Sequence, residues 1–321
     1  MSLTVLLLQI LIIFLEIGVG YLSARRGLIS AEQSRFLSSL IMNVFLPCTL
    51  MASTNVDSGA GTVGKMLTGF VLLALLYVCC ALVCLWNSRR AGYSRSKRAV
   101  FIGTAVMPKS AFIGIPLITS ILGERTGMVY AAAAIMAYTV FFFTYIIRQF
   151  QLPEETEVAA GGGASILQNL KSLITLTNFC TLLMVVMLIL QVKLPATLQS
   201  FFSALGGCTT PVALIIVGVM LAESDLKSLI SSRQLYLITL LRNIVFPVAF
   251  VLALRALPLD RTMCMGISVL AACPSGNLAA VVARQYGKEE ALASQAVAHS
   301  TICMLVTVPL VVGLAGKLFG M

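Results

Sequence analysis

Charge is what this sequence has least of. Of its 321 residues only 11% are Asp, Glu, Lys or Arg, with a single histidine and a single tryptophan, whereas a soluble domain is about 25% charged. That shortage excludes an ordinary water-soluble fold, which needs a polar surface. Acid is scarcer than base, 12 residues against 22, so a carboxylate metal cage or an enzyme built on convergent acids and bases is poorly supplied. No GxxxxGK[ST] phosphate loop, HExxH, paired CxxC or nucleophile elbow occurs, so nothing supports ATP-driven chemistry within the chain. The cysteines, at 48, 79, 80, 84, 180, 208, 264, 273 and 303, number nine, an odd count without metal-ligand spacing. They read as buried free thiols. A net charge of +10 could suit nucleic acid, but the basic residues fall between apolar runs rather than along one face, so no nucleic-acid partner is expected.

What is present is hydrocarbon: 59% of the chain is hydrophobic, with a mean hydropathy of +0.99. A spanning helix needs about 20 apolar residues. Apolar runs bounded by charges or turn residues predict an all-α membrane protein of ten transmembrane helices. They fall near 3–24, 34–53, 66–87, 99–122, 127–147, 173–192, 197–222, 233–256, 262–284 and 291–316. Residues 1–24 lack a basic n-region and a convincing cleavage site, which reads as a retained first span. The one long polar break, Gln149 to Asn169, carries Pro153, Glu154, Glu155, Glu157 and Gly161-Gly162-Gly163. It reads as a cytoplasmic linker, 149–169, between five-helix halves at 1–148 and 170–321.

Lys and Arg concentrate in cytoplasmic loops. Loops after odd-numbered spans hold Arg25, Arg26, Arg35, Arg89, Arg90, Arg95, Lys97, Arg98, Arg148, Lys171, Lys227, Arg233, Arg284 and Lys288; the other side holds Lys65, Arg125, Lys193, Arg255, Arg261 and Lys317. Both termini are therefore expected outside a cytoplasmic (inner) membrane. An odd number of spans per half makes the halves an inverted repeat. Spans 2 and 7 carry Asn43-Val44-Phe45-Leu46-Pro47 and Thr210-Pro211, and spans 4 and 9 begin alike, at Arg98 then Ile102-Gly103 and at Arg261 then Met265-Gly266.

A proline inside a span removes one backbone hydrogen bond and obstructs another, freeing carbonyls that lipid cannot solvate. Span 4 has Pro108-Lys109-Ser110, then Gly114-Ile115-Pro116; span 9 has Cys273-Pro274-Ser275-Gly276-Asn277. These predict two helices broken at mid-membrane, whose half-helix ends make a binding site at the repeat interface. For Pro47, Pro247 and Pro309 a simple kink is the expectation. Glu16 is the carboxylate well inside a span and a candidate proton carrier or partner of a buried base. Arg242, beside Asn243, is expected in a scaffold ion pair, with Glu16 as a candidate partner. His299 could serve proton coupling, though hydrogen-bonded packing is the commoner role of a lone histidine. Asn43, Gln295 and Asn277 could orient a carboxylate or line a water path.

At these residues the chain resembles the auxin efflux carrier family, which includes malate and malonate permease-like proteins and the plant PIN-type carriers. The resemblance runs along essentially the whole chain. Its most specific parts are Asn43-Val44-Phe45-Leu46-Pro47, Gly114-Ile115-Pro116-Leu117 and Pro274-Ser275-Gly276-Asn277 leading to Gln285-Tyr286-Gly287, extended by Ala293-Ser294-Gln295-Ala296 and Thr307-Val308-Pro309-Leu310. It implies crossed helices 4 and 9, a scaffold and a transport domain moving as an elevator, small organic anions as substrates and a homodimer through the scaffold face. Substrate contacts are then expected from Asn43, Pro108, Lys109, Ser110, Gly114, Pro116, Pro274, Ser275, Gly276 and Asn277, and coupling from Glu16, Lys109, Gln295 or His299.

Where the family usually has Pro-Asn-Thr or a similar triplet, this chain has Pro108-Lys109-Ser110. A lysine at the bilayer centre costs about 2.5–3.5 kcal/mol, so Lys109 should either bind a substrate carboxylate or replace a coupling cation. Sodium or protons would be the coupling ion, or none if Lys109 replaces it; no other cofactor is expected. Competing readings are a sodium-coupled bile-acid-type symporter, which should carry more membrane carboxylates and amides, and a channel or a non-transporting membrane sensor.

Overall fold

In a computed structural model of the chain, the described residues are 3–52, 60–152, 176–190, 192–223 and 232–320. Among them the regular structure is helical. The first half contains α1 (Leu3–Arg25), α2 (Ala31–Leu40), α3 (Leu46–Ala52), α4 (Ala60–Arg90), α5 (Arg95–Val106), α6 (Ile115–Leu122), α7 (Glu124–Phe141) and α8 (Ile147–Gln151). The second contains α9 (Leu176–Leu190), α10 (Ala196–Gly206), α11 (Thr209–Glu223), α12 (Arg233–Leu240), α13 (Phe246–Arg255), α14 (Arg261–Ala271), α15 (Asn277–Gln285) and α16 (Glu290–Phe319). Among the described residues five helical stretches are long and apolar enough to cross a membrane: Gly61–Arg90, Glu124–Gln151, Arg233–Arg255, Glu290–Phe319 and Ala196–Ile216, the last of them interrupted by a short turn at 207–208. Exposed rows such as Leu15, Val19 and Leu22 on α1, Val71, Leu75 and Leu82 on α4, and Val306 and Leu310 on α16 are surfaces that only lipid or protein can cover. The molecule is a multi-pass helical membrane protein.

Two departures from the sequence expectation have local causes. The helix ending the first half runs to Gln151, three residues into the expected linker; residues 153–169 of that linker lie outside the described residues. The seventh apolar run is not one helix: α10 stops at Gly206 and α11 restarts at Thr209. Pro211 has no N–H and is accommodated in the first turn of α11, with the break lying just ahead of it.

Prolines also shape the continuous helices. Three wide π-turns, Ile41–Phe45, Ser110–Gly114 and Leu241–Val245, each end two residues before a proline, at Pro47, Pro116 and Pro247. Widening the turn relieves the clash between the proline ring and the carbonyl one turn back, without breaking the helix. A fourth, Phe142–Ile146, has no such proline.

Burial defines two cores. The larger gathers side chains of α4, α5, α6, α7, α12, α13, α14 and α16 around residues such as Tyr77, Phe101, Phe142, Val251 and Leu270. The smaller lies around Ile41, Leu46, Leu50, Met184, Ala213 and Ile216, with Met66, Ile115 and Met128 from the larger bundle closing it. Within the smaller body the kinks of the two halves meet: Thr49 Oγ1 donates to the Gly206 carbonyl at 3.0 Å and lies 2.7 Å from Thr209 Oγ1.

Lys65 at the start of α4 pairs with Asp260, which also caps α14 by accepting from Thr262 N at 2.8 Å. The Lys65 bond holds the Asp260 carboxyl below its ordinary value. This depressed value means the pair stabilises above the ordinary carboxylate pKa, about 3.9, and its contribution disappears as pH falls through the folded value. Both groups are half exposed, so Lys65→Met should cost at most about 1 kcal/mol of unfolding free energy. The difference from wild type should shrink in high salt or acid, read as unfolding midpoints across a pH series. At the other end Lys288 Nζ donates to the Leu152 carbonyl, and Gln151 Nε2 donates to Tyr286 Oη at 3.1 Å. Each contact joins loops that the charge pattern assigns to a common side.

Candidate functional site

The two proline-interrupted segments meet each other. At about 1.5 Å per residue, the 12 residues of α5 and the 11 of α14 reach only about 17 Å, roughly half the hydrocarbon thickness. Both helices start from side-chain caps at matched places, Ser94 accepting from Lys97 N and Asp260 from Thr262 N, and both stop where a proline approaches. Met107, before Pro108, is extended at φ −86°, ψ 121°, because a residue preceding proline is pushed out of the helical region.

At the stop the chains lie antiparallel, bridging Pro108 and Ser275. Lys109 N donates to Pro274 O at 2.7 Å, and Gly276 N to Met107 O at 2.9 Å. Each break thus satisfies backbone groups that the other has freed, as buried polar backbone requires. The approach needs glycine: a Cβ on Gly276 would sit 3.1 Å from Pro108 O, and one on Gly114 would sit 2.9 Å from Cys273 Sγ.

Arg242 completes the arrangement. It is 1% exposed, and its Nε donates to Cys273 O at 2.9 Å, its Nη1 to Val106 O at 2.8 Å, and its Nη2 to Ala271 O. These carbonyls belong to the C-terminal ends of α14 and α5. The expected ion pair with Glu16 is therefore replaced by a carbonyl clamp; Glu16 sits half-buried on α1. The neighbouring Asn243 accepts from Ser300 Oγ at 2.7 Å and donates to Ser300 O at 2.9 Å, while Ser300 Oγ also accepts from Ser275 N at 2.9 Å. The π-turn Leu241–Val245 carries both residues, so one widened turn supports both strands of the crossing.

Ser300→Ala would strand Ser275 N and one Asn243 oxygen bond. A buried group left unsatisfied costs about 1–3 kcal/mol, so the unfolding midpoint should fall in thermal scans, whereas Cys303→Ala on the same helix should leave it nearly unchanged.

The structure brings Pro108, Lys109, Ser110, Gly114, Pro274, Ser275 and Gly276 together as buried residues of this crossing, with Pro116 and Asn277 opening the helices that leave it. Lys109 is 3% exposed and occupies the cap position of the π-turn starting at Ser110. Ser275 Oγ is buried with no hydrogen-bond partner among the described residues. Asn43 is exposed in another π-turn, its amide bonded to Ser39 O at 2.9 Å. His299 Nδ1 lies 2.6 Å from Thr239 Oγ1, with Tyr236 edge-on at 4.8 Å between centroids. Gln295 lies half-buried one turn earlier on α16. Sequence reasoning singled out the breaks but missed Arg242's role and the Asn243–Ser300 link. The available signal was an adjacent Arg-Asn pair, Arg242-Asn243, ahead of Ile244-Val245 and four residues before Pro247, in the middle of an apolar span.

Comparison with known proteins gives a consistent picture. The family described as membrane transport protein matches residues 5–312. The uncharacterized transporter YfdV of Escherichia coli K12 is 24% identical over 317 residues, covering 95% of each chain. An uncharacterized transporter of Methanothermobacter thermautotrophicus is 24% identical over 315 residues, covering 97% of each.

Proposed function

The chain belongs to the membrane transport protein family, that of the auxin efflux carriers, and from that premise we propose that it is a secondary carrier of small organic anions. The observation carrying this reading is the crossing of two broken helices around a buried lysine. Their C-terminal halves start at the crossing, where helix N-termini with their partial positive charge favour an anion. The amine of Lys109, at the cap of the turn that Ser110 opens, and the hydroxyl of Ser275 supply donors suited to a carboxylate. Dicarboxylates such as malate or malonate, or aromatic monocarboxylates of the indole type, fit this chemistry.

In this proposal the chain spans the cytoplasmic membrane ten times as inverted halves, 1–148 and 170–321, joined by a cytoplasmic linker, with both termini outside. The larger core, which contains the crossing, moves as an elevator against the smaller one, through whose outer face the carrier dimerises. The separate burial of the two cores supports the division. Lys109 and the crossing residues bind the anion, while Glu16, Gln295 and His299 are the candidates for proton coupling.

Reconstituted protein tests the reading: uptake of labelled malonate, malate and indole-3-acetate into liposomes, with and without pH and sodium gradients. A carrier shows saturation and counterflow. Linear, non-saturating flux would make the protein a pore, and ligand binding without flux of any acid would make it a sensor.

A further inference from the structure

Two half-helices end at the crossing with their carbonyls converging. Each helix C-terminus carries the equivalent of about half a negative charge, so α5 and α14 together present roughly one full charge, in a place that lipid and protein shield from water. Bare carbonyls gathered in this way are the standard coordination shell of an alkali cation at a broken membrane helix. Here a guanidinium fills that shell. Three different nitrogens of Arg242 take Val106 O, Ala271 O and Cys273 O. The side chain is fully buried, and its helix is held in place by the Asn243–Ser300 bonds. Each carbonyl lies at or just beyond a half-helix end, where no later amide of the same helix reaches it. Set against the two half-helix C-termini alone, the guanidinium is one fixed positive charge facing two half-charges.

We propose that Arg242 is the resident cation of the crossing, tethered to α12–α13 in the carbonyl cradle that would otherwise hold an alkali-metal coupling ion, so that the carrier works without sodium. This rests on the carrier reading for its functional half. The cation half concerns binding alone and is testable without any substrate. It also divides the two sequence readings of Lys109: with the carbonyls taken by Arg242, Lys109 keeps the role of binding the anion and not that of replacing an ion.

The test uses the purified full-length protein in detergent, with the unfolding midpoint measured in choline, sodium and guanidinium chlorides at equal low ionic strength. Wild type should give equal midpoints in choline and sodium. Arg242→Ala empties the cradle and should lose roughly 10 °C in choline, the scale expected when a buried charge network is broken. It should recover part of that loss, saturably, on adding sodium or guanidinium. Arg242→Lys, which keeps the charge with a single nitrogen, should lose less and respond less to added cation. If Arg242→Ala does not fold, Arg242→Lys carries the comparison.

Saturable stabilisation of wild type by sodium over choline would overturn the proposal. So would an Arg242→Ala protein that folds but ignores both small cations, since Arg242 would then be a structural link and not an ion surrogate. Failure of liposome uptake for every acid, with these midpoints as expected, would sink the carrier reading alone. Where an acid is transported, its uptake should be indifferent to sodium in wild type and become cation-dependent in Arg242→Ala.

Discussion

Lys109→Asn should cut organic-anion uptake about ten- to a hundredfold while leaving the protein as stable as before, or more so. The transport loss follows from the worth of a charge-assisted hydrogen bond to a carboxylate, about 1.5–3 kcal/mol. The stability half runs the other way. A lysine at mid-membrane costs about 2.5–3.5 kcal/mol on the lenient insertion scale, and Lys109 is 3% exposed, so an asparagine removes that burden while keeping a polar group at the crossing. Its backbone bond to Pro274 O does not depend on the side chain. Saturation curves and thermal midpoints measured on one preparation separate the roles. A mutant that transports normally removes Lys109 from the site, and one that loses transport and stability together makes the lysine structural.

Gly20→Ala and Gly218→Ala should each destabilise the protein strongly, by about 3 kcal/mol or more, at the upper end of overpacking costs. α1 and α11 cross so closely that a Cβ on Gly20 would lie 2.0 Å from Ile215 O, and one on Gly218 2.0 Å from Ile17 O. The obstructing atoms are backbone, which cannot turn aside as a side chain can, so the helices must separate along their contact. Small residues permitting such approach are how helices associate where no hydrophobic gradient exists between them. Gly18, two residues earlier and so on the opposite face of the same helix, has nothing within 4 Å of its Cβ position. Gly18→Ala should therefore be neutral or slightly stabilising, by the helix propensity gained, up to about 1 kcal/mol. Monodispersity and unfolding midpoints of the three variants check this; equal behaviour would mean that α1 and α11 do not touch in the folded protein.

How much of this was legible beforehand differs by feature. The interruptions of the fourth and ninth apolar runs were, because much of the cause is in the residue: proline lacks an N–H and disfavours the helical region for the residue before it, although Leu46, Ile115 and Phe246 stay helical ahead of Pro47, Pro116 and Pro247. The break of the seventh run at Gly206 follows from the same rule applied to Pro211, which had been noted only for the likeness of spans 2 and 7. The close approach of α1 and α11 was not legible, since Gly18 and Gly20 look alike in sequence and only packing tells them apart. Arg242 was singled out in the sequence, but an ion pair was the expected answer because acids are the usual partners of arginine. Three carbonyls, each released by a break far away in sequence, took that place instead.

The sequence by itself determined that this protein lives in a membrane, where its apolar runs lie, and where backbone carbonyls would be set free. Those properties depend on composition and on short-range sterics, which act within a turn or two of the chain. Tertiary structure decided who satisfies the freed groups: Val106 by Arg242, Met107 by Gly276 and Pro274 by Lys109. In hydrocarbon each such group must find a partner, but any correctly placed donor will do, and only the packing of the two broken helices against each other fixes which donor arrives.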